Sequence, residues 1–293
     1  MSRMRPEPVS IGKLLLEART QLAMARVGTS GAETSPREAS TLLAFVLGLD
    51  EARLITRDQD RVASAEVEHF RRLVRRRVAG EPVAYLTGTK GFYGRDFKVD
   101  ERVLIPRPET EHLVEAALAL DLPDAPRIVD IGTGSGAIAV TLACERADAE
   151  VIATDLDAGA LLLARENARS LGVEDRVHFL RGDLASGLRL GEIDLLVSNP
   201  PYIATGIGTK ISREVLEFEP HLALFAPGRG RGLIRRLLAS AEALRPGTHT
   251  LIEIGYDQGE WLRRSVENSE YLELVELVRD YGGHERTAVL RTR

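Results

Sequence analysis

From Arg127 to the end of the chain, short apolar runs alternate with stretches of helical periodicity, and this alternation limits the possible folds more than any other feature. Strands are predicted at 128–131, 151–154, 177–180, 193–198 and 250–254, with late strands at 272–278 and 287–291. Helices are predicted at 137–146, 158–171, 233–244 and 260–267. Near-continuous apolar strands separated by helices build a mostly parallel sheet covered on both faces. A ligand of such a sheet is expected at the carboxyl ends of the strands, where the strand order reverses.

The first 80 residues have a different texture. Val9, Leu14, Leu15, Ala18, Leu22 and Ala25 recur at helical spacing. A second helix is expected to start at Ser35-Pro36-Arg37-Glu38, with Ser35 as N-cap, Pro36 at the first helical position and Glu38 completing a capping box. A third runs over 64–78 and ends at Gly80. Phe92 to Val99 looks like a short hairpin around Gly94, and 113–120 is helical again. The expected organisation is a small helical domain over 1–80, a linker with a β-hairpin over 81–111, and an α/β domain over 112–293. A length of 293 residues accommodates it.

Charge follows the same division. Residues 1–80 carry 14 Lys/Arg against 10 Asp/Glu, a net of +4, so the remainder of a chain with total charge −5 carries −9. Arg71, Arg72, Arg75, Arg76 and Arg77 share one helical segment, read either as a solvated face or as a contact for RNA or an acidic partner. The acidic total argues against extended duplex DNA binding, which favours many phosphate-neutralising cations. The basic start Met1 to Arg5 is followed by Pro6-Glu7-Pro8 instead of an apolar targeting core. The longest apolar run, 42–49, falls well short of the roughly 18 residues that span a membrane. Cys144 is the only cysteine, which excludes an internal disulfide; it reads as a small buried hydrophobe, and a cytoplasmic location is expected.

Two motifs carry chemistry. Asp130-Ile131-Gly132-Thr133-Gly134-Ser135-Gly136 follows a predicted buried strand and opens a helix. Its glycines permit positive φ and close approach of backbone to ligand. The Gly-x-Gly-x-Gly spacing differs from the Gly-x-Gly-x-x-Gly of dinucleotide binders, which disfavours NAD and FAD. Asp155 follows the second strand, 19 residues after Gly136, where an acid can accept hydrogen bonds from both ribose hydroxyls of a nucleoside; a capping acid is the plainer alternative. Asp183 follows the third strand and could meet an adenine amino group, directly or through a nearby backbone amide. Asp157 and Asn167 read as capping or helix-surface residues.

The second motif, Ser198-Asn199-Pro200-Pro201-Tyr202, ends the fourth strand of the alternation. Two prolines cannot continue a sheet ladder, and they leave carbonyl oxygens free to accept hydrogen bonds. Asn199 adds a side-chain carbonyl and Tyr202 a flat aromatic face. Together they can hold a planar NH2 group by both hydrogens.

At this point the chain resembles a class I S-adenosylmethionine-dependent methyltransferase of the Asn-Pro-Pro-Tyr group, which modifies planar nitrogens of adenine, cytosine or glutamine. The flanks are similar to the release factor glutamine methyltransferase (HemK/PrmC) family: Pro82-Val83-Ala84-Tyr85-Leu86-Thr87-Gly88, Phe92, Val103 to Glu111, Phe218-Glu219-Pro220 with Ala223-Leu224, and Asp280 to Arg286. The likeness runs from about residue 10 to 291. A related group acting on a ribosomal protein glutamine typically has Ser-Pro after the Pro-Arg, where this chain has Pro108-Glu109-Thr110-Glu111. The resemblance implies a Rossmann-like sheet of seven mostly parallel strands and an N-terminal domain that helps to recognise the release factor. It implies S-adenosylmethionine as cofactor, held by Gly132, Thr133, Gly134, Ser135, Gly136, Asp155, Asp183, Leu184 and Asn199. The implied substrate is the glutamine of a Gly-Gly-Gln motif, bound by Asn199, Pro200, Pro201 and Tyr202, with Asn199, Pro200 and Tyr202 serving catalysis.

An amide nitrogen is a poor nucleophile, so the expected mechanism is orientation: Asn199 Oδ1 and the Pro200 carbonyl accept the two N–H bonds while Tyr202 packs on the amide plane. No dedicated base stands out. The six histidines lack metal-ligand spacing, and no metal is expected. A monomer acting on release factors is expected, without membrane association or stable nucleic-acid binding. Two other classes compete. An adenine- or cytosine-methylating enzyme would use the same pocket after base flipping, but with a large target-recognition region and a basic cleft. A cofactor-sensing module would have no need of an amide cradle.

Overall fold

The structure is a computed structural model and describes residues 9–25, 36–206 and 211–293. The Ser35 N-cap expectation lies outside them. Five helices come first: α1 (Ile11–Ala25), α2 (Pro36–Leu47), α3 (Glu51–Thr56), α4 (Ser64–Val78) and α5 (Val83–Thr87). The hairpin strands β1 (Thr89–Phe92) and β2 (Arg95–Lys98) follow, then α6 (Glu111–Leu118), β3 (Arg127–Ile131), α7 (Ala137–Glu145), β4 (Glu150–Asp155), α8 (Ala158–Ser170), β5 (Val177–Arg181) and β6 (Leu195–Ser198). The remainder is β7 (Ile203–Ala204), α9 (Arg213–Phe218), α10 (His221–Leu224), β8 (Phe225–Ala226), α11 (Gly232–Glu242), β9 (His249–Glu253), α12 (Gly259–Glu267), β10 (Leu272–Arg279) and β11 (Glu285–Thr292).

The chain divides into two compact units. One takes the chain up to Gly88 together with a later segment ending at Phe218; the other begins at Thr89 and contains the rest. The later segment, which carries α9, is an addition that periodicity along the first 80 residues could not announce.

In the helical unit, one face each of α1, α2 and α4 forms a shared core: Leu14 and Leu22, Leu42 and Leu43, Phe70 and Leu73 are essentially buried. Burying one such side chain contributes roughly 1.5–3 kcal/mol. Asp50 caps α3, accepting the Arg53 N–H at 2.7 Å. Gly80 follows α4 with φ +105°, a conformation open to glycine. The basic cluster is largely neutralised inside this unit. Arg77 is 3% exposed and meets Glu38 at 2.9 Å and Glu214 at 2.7 Å, so Glu38 serves an ion pair. Arg71 pairs with Glu17 and Arg76 with Glu81, while Arg72 and Arg75 remain exposed.

In the sheet unit, seven strands are ordered β10-β11-β9-β6-β3-β4-β5. The pairs β3/β4, β4/β5, β3/β6 and β6/β9 are parallel, and β11 joins β9 and β10 antiparallel. Alternation along the strands feeds two cores. Ile128 faces a layer containing α6 and α7, while Val129 and Ile131 face a layer containing α11 and α12. Nearly every residue of α7 is buried, as expected of a helix apolar on all sides. The order reverses at β3, which has β4 on one side and β6 on the other.

The hairpin belongs to this unit. Tyr93 and Gly94 have φ of +48° and +71°, the paired positive values of a two-residue turn suited to strand twist. Phe92 and Phe97 pack edge to face at 6.0 Å inside the first core. Asn167, expected on the helix surface, is 1% exposed and pins the hairpin: its Oδ1 accepts the Lys98 N–H at 2.8 Å, and its Nδ2 donates to the carbonyls of Lys98 and Ser135. A buried amide with three partners explains a polar residue on an otherwise inward face. Asp157 does cap α8, accepting from Gly159 and Ala160. Cys144 is half-buried at the edge of the first core, not sealed inside it.

Candidate functional site

The loops leaving β3 and β6 flank the switch point of the sheet, and a cavity of about 400 Å³ opens there. That is the size range of small-molecule and cofactor sites. One wall is the glycine loop. Gly132, Gly134 and Gly136 have φ of +73°, +55° and +81°. A Cβ at Gly136 would press on Ala164 and Val140 at 3.1–3.2 Å, so this glycine lets α7 pack on α8. Cβ atoms at Gly132 or Gly134 would meet nothing within 4 Å; those positions face open space at the cavity wall.

Asp155 closes the same wall from the end of β4. Its Oδ2 accepts the Gly134 N–H and its Oδ1 the Asp157 N–H, both at 2.9 Å. Burial raises its pKa against these backbone donors. Each carboxylate oxygen keeps a lone pair for another donor. Thr133 donates to Asp130 at 2.6 Å, and Ala139 N–H adds a second bond to the same oxygen. Asp130 is fully buried, and burial pushes its carboxyl up to about 7. Ser135 is also buried, with its carbonyl held by Asn167. Farther along, Leu184 adopts φ +53°, a left-handed conformation costing a leucine roughly 1 kcal/mol or more. Asp183 also lines the cavity, but its carboxylate is exposed and paired with Arg236 at 2.8 Å.

The loop after β6, the neighbour of β3 in the sheet, adds Asn199 and Pro201 to the lining. Asn199 Nδ2 donates to Thr110 Oγ1 at 3.0 Å, Thr110 Oγ1 donates to Glu253 Oε2 at 2.6 Å, and the Tyr202 hydroxyl donates to Glu253 Oε1 at 3.2 Å. Burial pushes the Glu253 carboxyl up to about 7 and raises the Tyr202 phenol. Behind the motif, Gln258 Nε2 donates to the carbonyls of Tyr202 and Gly230, and its Oε1 accepts the Gly255 N–H. Gly230 is needed there, because a Cβ would sit 2.0 Å from the Tyr202 carbonyl oxygen. The stretch 105–107 also meets Glu219, which is buried, accepts the Ile105 N–H at 3.1 Å and pairs with Arg107.

Of the residues singled out in sequence, Gly132, Thr133, Gly134, Ser135, Asp155, Asp183, Leu184, Asn199 and Pro201 line this one cavity. Gly136 sits beneath it as packing, and Pro200 and Tyr202 lie beside it in the motif. Asp130 and Thr110 stand inside quoted motifs without a role assigned to them, and Glu253 and Gln258 were not singled out. Glu253 did leave a signal, an acid inside the apolar run Leu251-Ile252-Glu253-Ile254.

Comparison with known proteins then decides the family. Residues 13–88 match a family described as PrmC N-terminal domain, and residues 110–221 one described as methyltransferase small domain. A release factor glutamine methyltransferase of Nitratidesulfovibrio vulgaris is 41% identical over 282 residues, covering 95% of this chain and 96% of that protein. The chain belongs to the release factor glutamine methyltransferase family. A Neisseria gonorrhoeae protein of the same name is 43% identical, over 86% of this chain and 92% of its own length. A solved methyltransferase structure from Pyrococcus furiosus, 19% identical, aligns with a TM-score of 0.50 over 74% of this chain and 96% of that one, a likeness of fold. The family uses S-adenosylmethionine as methyl donor, and the cavity fits it: glycine positions that leave room for a ligand, the half-buried Asp155 carboxylate with spare lone pairs, and sufficient volume. No helix among the described residues is long and apolar enough to cross a membrane.

Proposed function

We propose that the chain methylates the side-chain amide nitrogen of the glutamine in the Gly-Gly-Gln motif of a peptide chain release factor. The products are N5-methylglutamine and S-adenosylhomocysteine. The observation that supports this reading is that Asn199 and Pro201 of the Asn-Pro-Pro-Tyr motif line the same cavity as the glycine loop, in a chain 41% identical to a release factor glutamine methyltransferase.

S-adenosylmethionine, when bound, supplies an electrophilic methyl group on a sulfonium. Gly132 to Gly136 would hold it by backbone, Asp155 by its ribose hydroxyls, and Asp183-Leu184 beside the adenine. Asn199 Oδ1 and the Pro200 carbonyl accept the two N–H bonds of the glutamine amide. Tyr202 packs on its plane, and Pro201 shapes the approach. Holding the nitrogen in line for attack removes orientational entropy that can amount to several kcal/mol. Both acceptors gain strength as positive charge develops on nitrogen. The new N–C bond forms as the S–C bond breaks, and the nitrogen then releases one proton to solvent. A monomer that meets release factors in the cytoplasm completes the proposal. The helical unit would dock the release factor.

The test is mass spectrometry of recombinant release factor incubated with the protein and labelled S-adenosylmethionine. The expected result is one methyl on the glutamine of Gly-Gly-Gln and none elsewhere. An unmodified glutamine with a protein that binds the cofactor would refute the assignment, and label appearing instead in nucleic acid would favour a base-amino methyltransferase.

A further inference from the structure

We infer that Thr110 and Glu253 are positioning residues: a buried relay through them fixes the Asn199 side-chain amide with its carbonyl oxygen turned to the substrate. The inference rests on the reading of Asn199 as the glutamine cradle and adds what determines which end of Asn199 faces the reacting nitrogen.

A planar amide has two ends of similar shape and opposite polarity. If Asn199 turned by half a circle, its NH2 would meet the substrate NH2, donor against donor. Its own backbone does not prevent this; the partners behind it do. Thr110 Oγ1 has one proton, which goes to Glu253 Oε2 at 2.6 Å. An ionised carboxylate only accepts. Toward Asn199, Thr110 can therefore only accept, and what faces it at 3.0 Å must be the amide nitrogen. Asn199 Oδ1 is left without a protein partner among the described residues, on the wall of the cavity. The other carboxylate oxygen takes the Tyr202 hydroxyl at 3.2 Å, so one acid anchors both polar side chains of the motif.

An ordinary structural role explains this arrangement poorly. Thr110 and Glu253 are 4% and 2% exposed, and Glu253 ends a strand whose neighbours Leu251 and Ile252 are fully buried. A buried carboxylate carries a desolvation penalty that an apolar residue would avoid. The groups around it are mixed. Arg286 favours its charge and Glu109 opposes it; Arg286 is itself bonded to Asp280, and Arg107, which acts on Tyr202, is paired with Glu219. With burial outweighing the rest, Glu253 titrates at about 7. Protonating it would turn an acceptor into a donor, free the Thr110 proton for Asn199, and favour the wrong end of the amide.

The test compares Thr110→Val, Thr110→Ser, Glu253→Gln and Asn199→Ala in the full chain, with a release factor as substrate. Thr110→Val keeps the shape and removes the hydroxyl. It should lower kcat about ten- to a hundredfold, the scale of a misplaced reacting group, while S-adenosylmethionine affinity by calorimetry stays within about threefold. That retained affinity also reports a folded cavity. Thr110→Ser restores the hydroxyl and should restore kcat. Glu253→Gln keeps an acceptor for Thr110 and offers its NH2 to the Tyr202 oxygen. It should keep most of the activity above pH 8 and lack the acid limb expected of wild type near pH 7; the Asp130 carboxyl is pushed up to the same range but is unchanged in this variant. Wild-type kcat in Thr110→Val beside an impaired Asn199→Ala overturns the relay and leaves the proposed function standing. Wild-type kcat in Asn199→Ala removes the cradle and, with it, this inference.

Discussion

The two walls of the cavity are built from different materials. The glycine-loop wall is mainly backbone: three positive-φ glycines, a strand-to-helix turn, and one acid that itself accepts two backbone N–H groups. The Asn-Pro-Pro-Tyr wall depends on side chains drawn from the turn before α6, the end of β6 and the end of β9. A backbone wall tolerates changes in many side chains but few changes of φ. A side-chain wall has the opposite weakness, since a single hydroxyl carries orientation across it. The first suits a constant ligand such as a cofactor nucleoside, and the second suits a polar group that must be presented with one polarity.

The largest expected effect comes from breaking the side-chain wall at its tip. Asn199→Ala removes an acceptor for the reacting NH2. Turnover at saturating cofactor should fall by about two to three orders of magnitude, the usual scale for a lost transition-state hydrogen bond. Cofactor affinity should move far less. At Tyr202 the phenylalanine variant keeps the ring face but strips Glu253 of one of its two hydroxyl donors, whereas alanine loses both, so Phe should outperform Ala. Single-turnover rates on a release factor domain measure the ordering. Near-normal chemistry in Asn199→Ala would mean that the two walls do not divide the labour in this way.

The same contrast governs what could be read in the sequence. All seven sheet strands and the long helices were legible, because apolar runs and 3.6-residue periodicity are local. So was the glycine wall, whose glycines lie within one loop and whose acid ends the next strand. The short helices α3 and α5 escaped, being too brief to show a period. Asn167 was misassigned because its three partners come from other segments. The arginine cluster looked like one charged face, yet Arg77 is buried against acids 39 and 137 residues away in sequence. The Thr110–Glu253 contact spans 143 residues, so neither side chain announces the other.

A smaller loss is expected at the backbone wall. Asp155→Ala removes the proposed ribose acceptor and two backbone N–H contacts. At about 1 kcal/mol for each lost bond, cofactor affinity should weaken about ten- to a hundredfold. Turnover at saturating cofactor should change much less, reversing the Asn199→Ala pattern. Calorimetry with S-adenosylhomocysteine gives the affinity, and an unchanged value would remove the ribose assignment.

The smallest effect should come from Asp183, where the backbone wall meets solvent. Its carboxylate is about half exposed and paired with Arg236 at 2.8 Å, and an exposed pair of this kind contributes no more than about 1 kcal/mol. Asp183→Asn keeps a side-chain oxygen of nearly the same shape, so a bond from an adenine amino group could persist. Contact through a neighbouring backbone amide would persist as well. Cofactor affinity should therefore weaken by no more than about fivefold, and Arg236→Ala should give a change of similar size. Calorimetry on both variants at low and high salt would test this, because an exposed charge pair is screened and the difference from wild type should shrink as salt rises. A loss in Asp183→Asn as large as that in Asp155→Ala, and insensitive to salt, would show that the charge at 183 acts on the cofactor directly. The glycine-loop wall would then depend on two side-chain charges, and the division between a backbone wall and a side-chain wall would have to be redrawn.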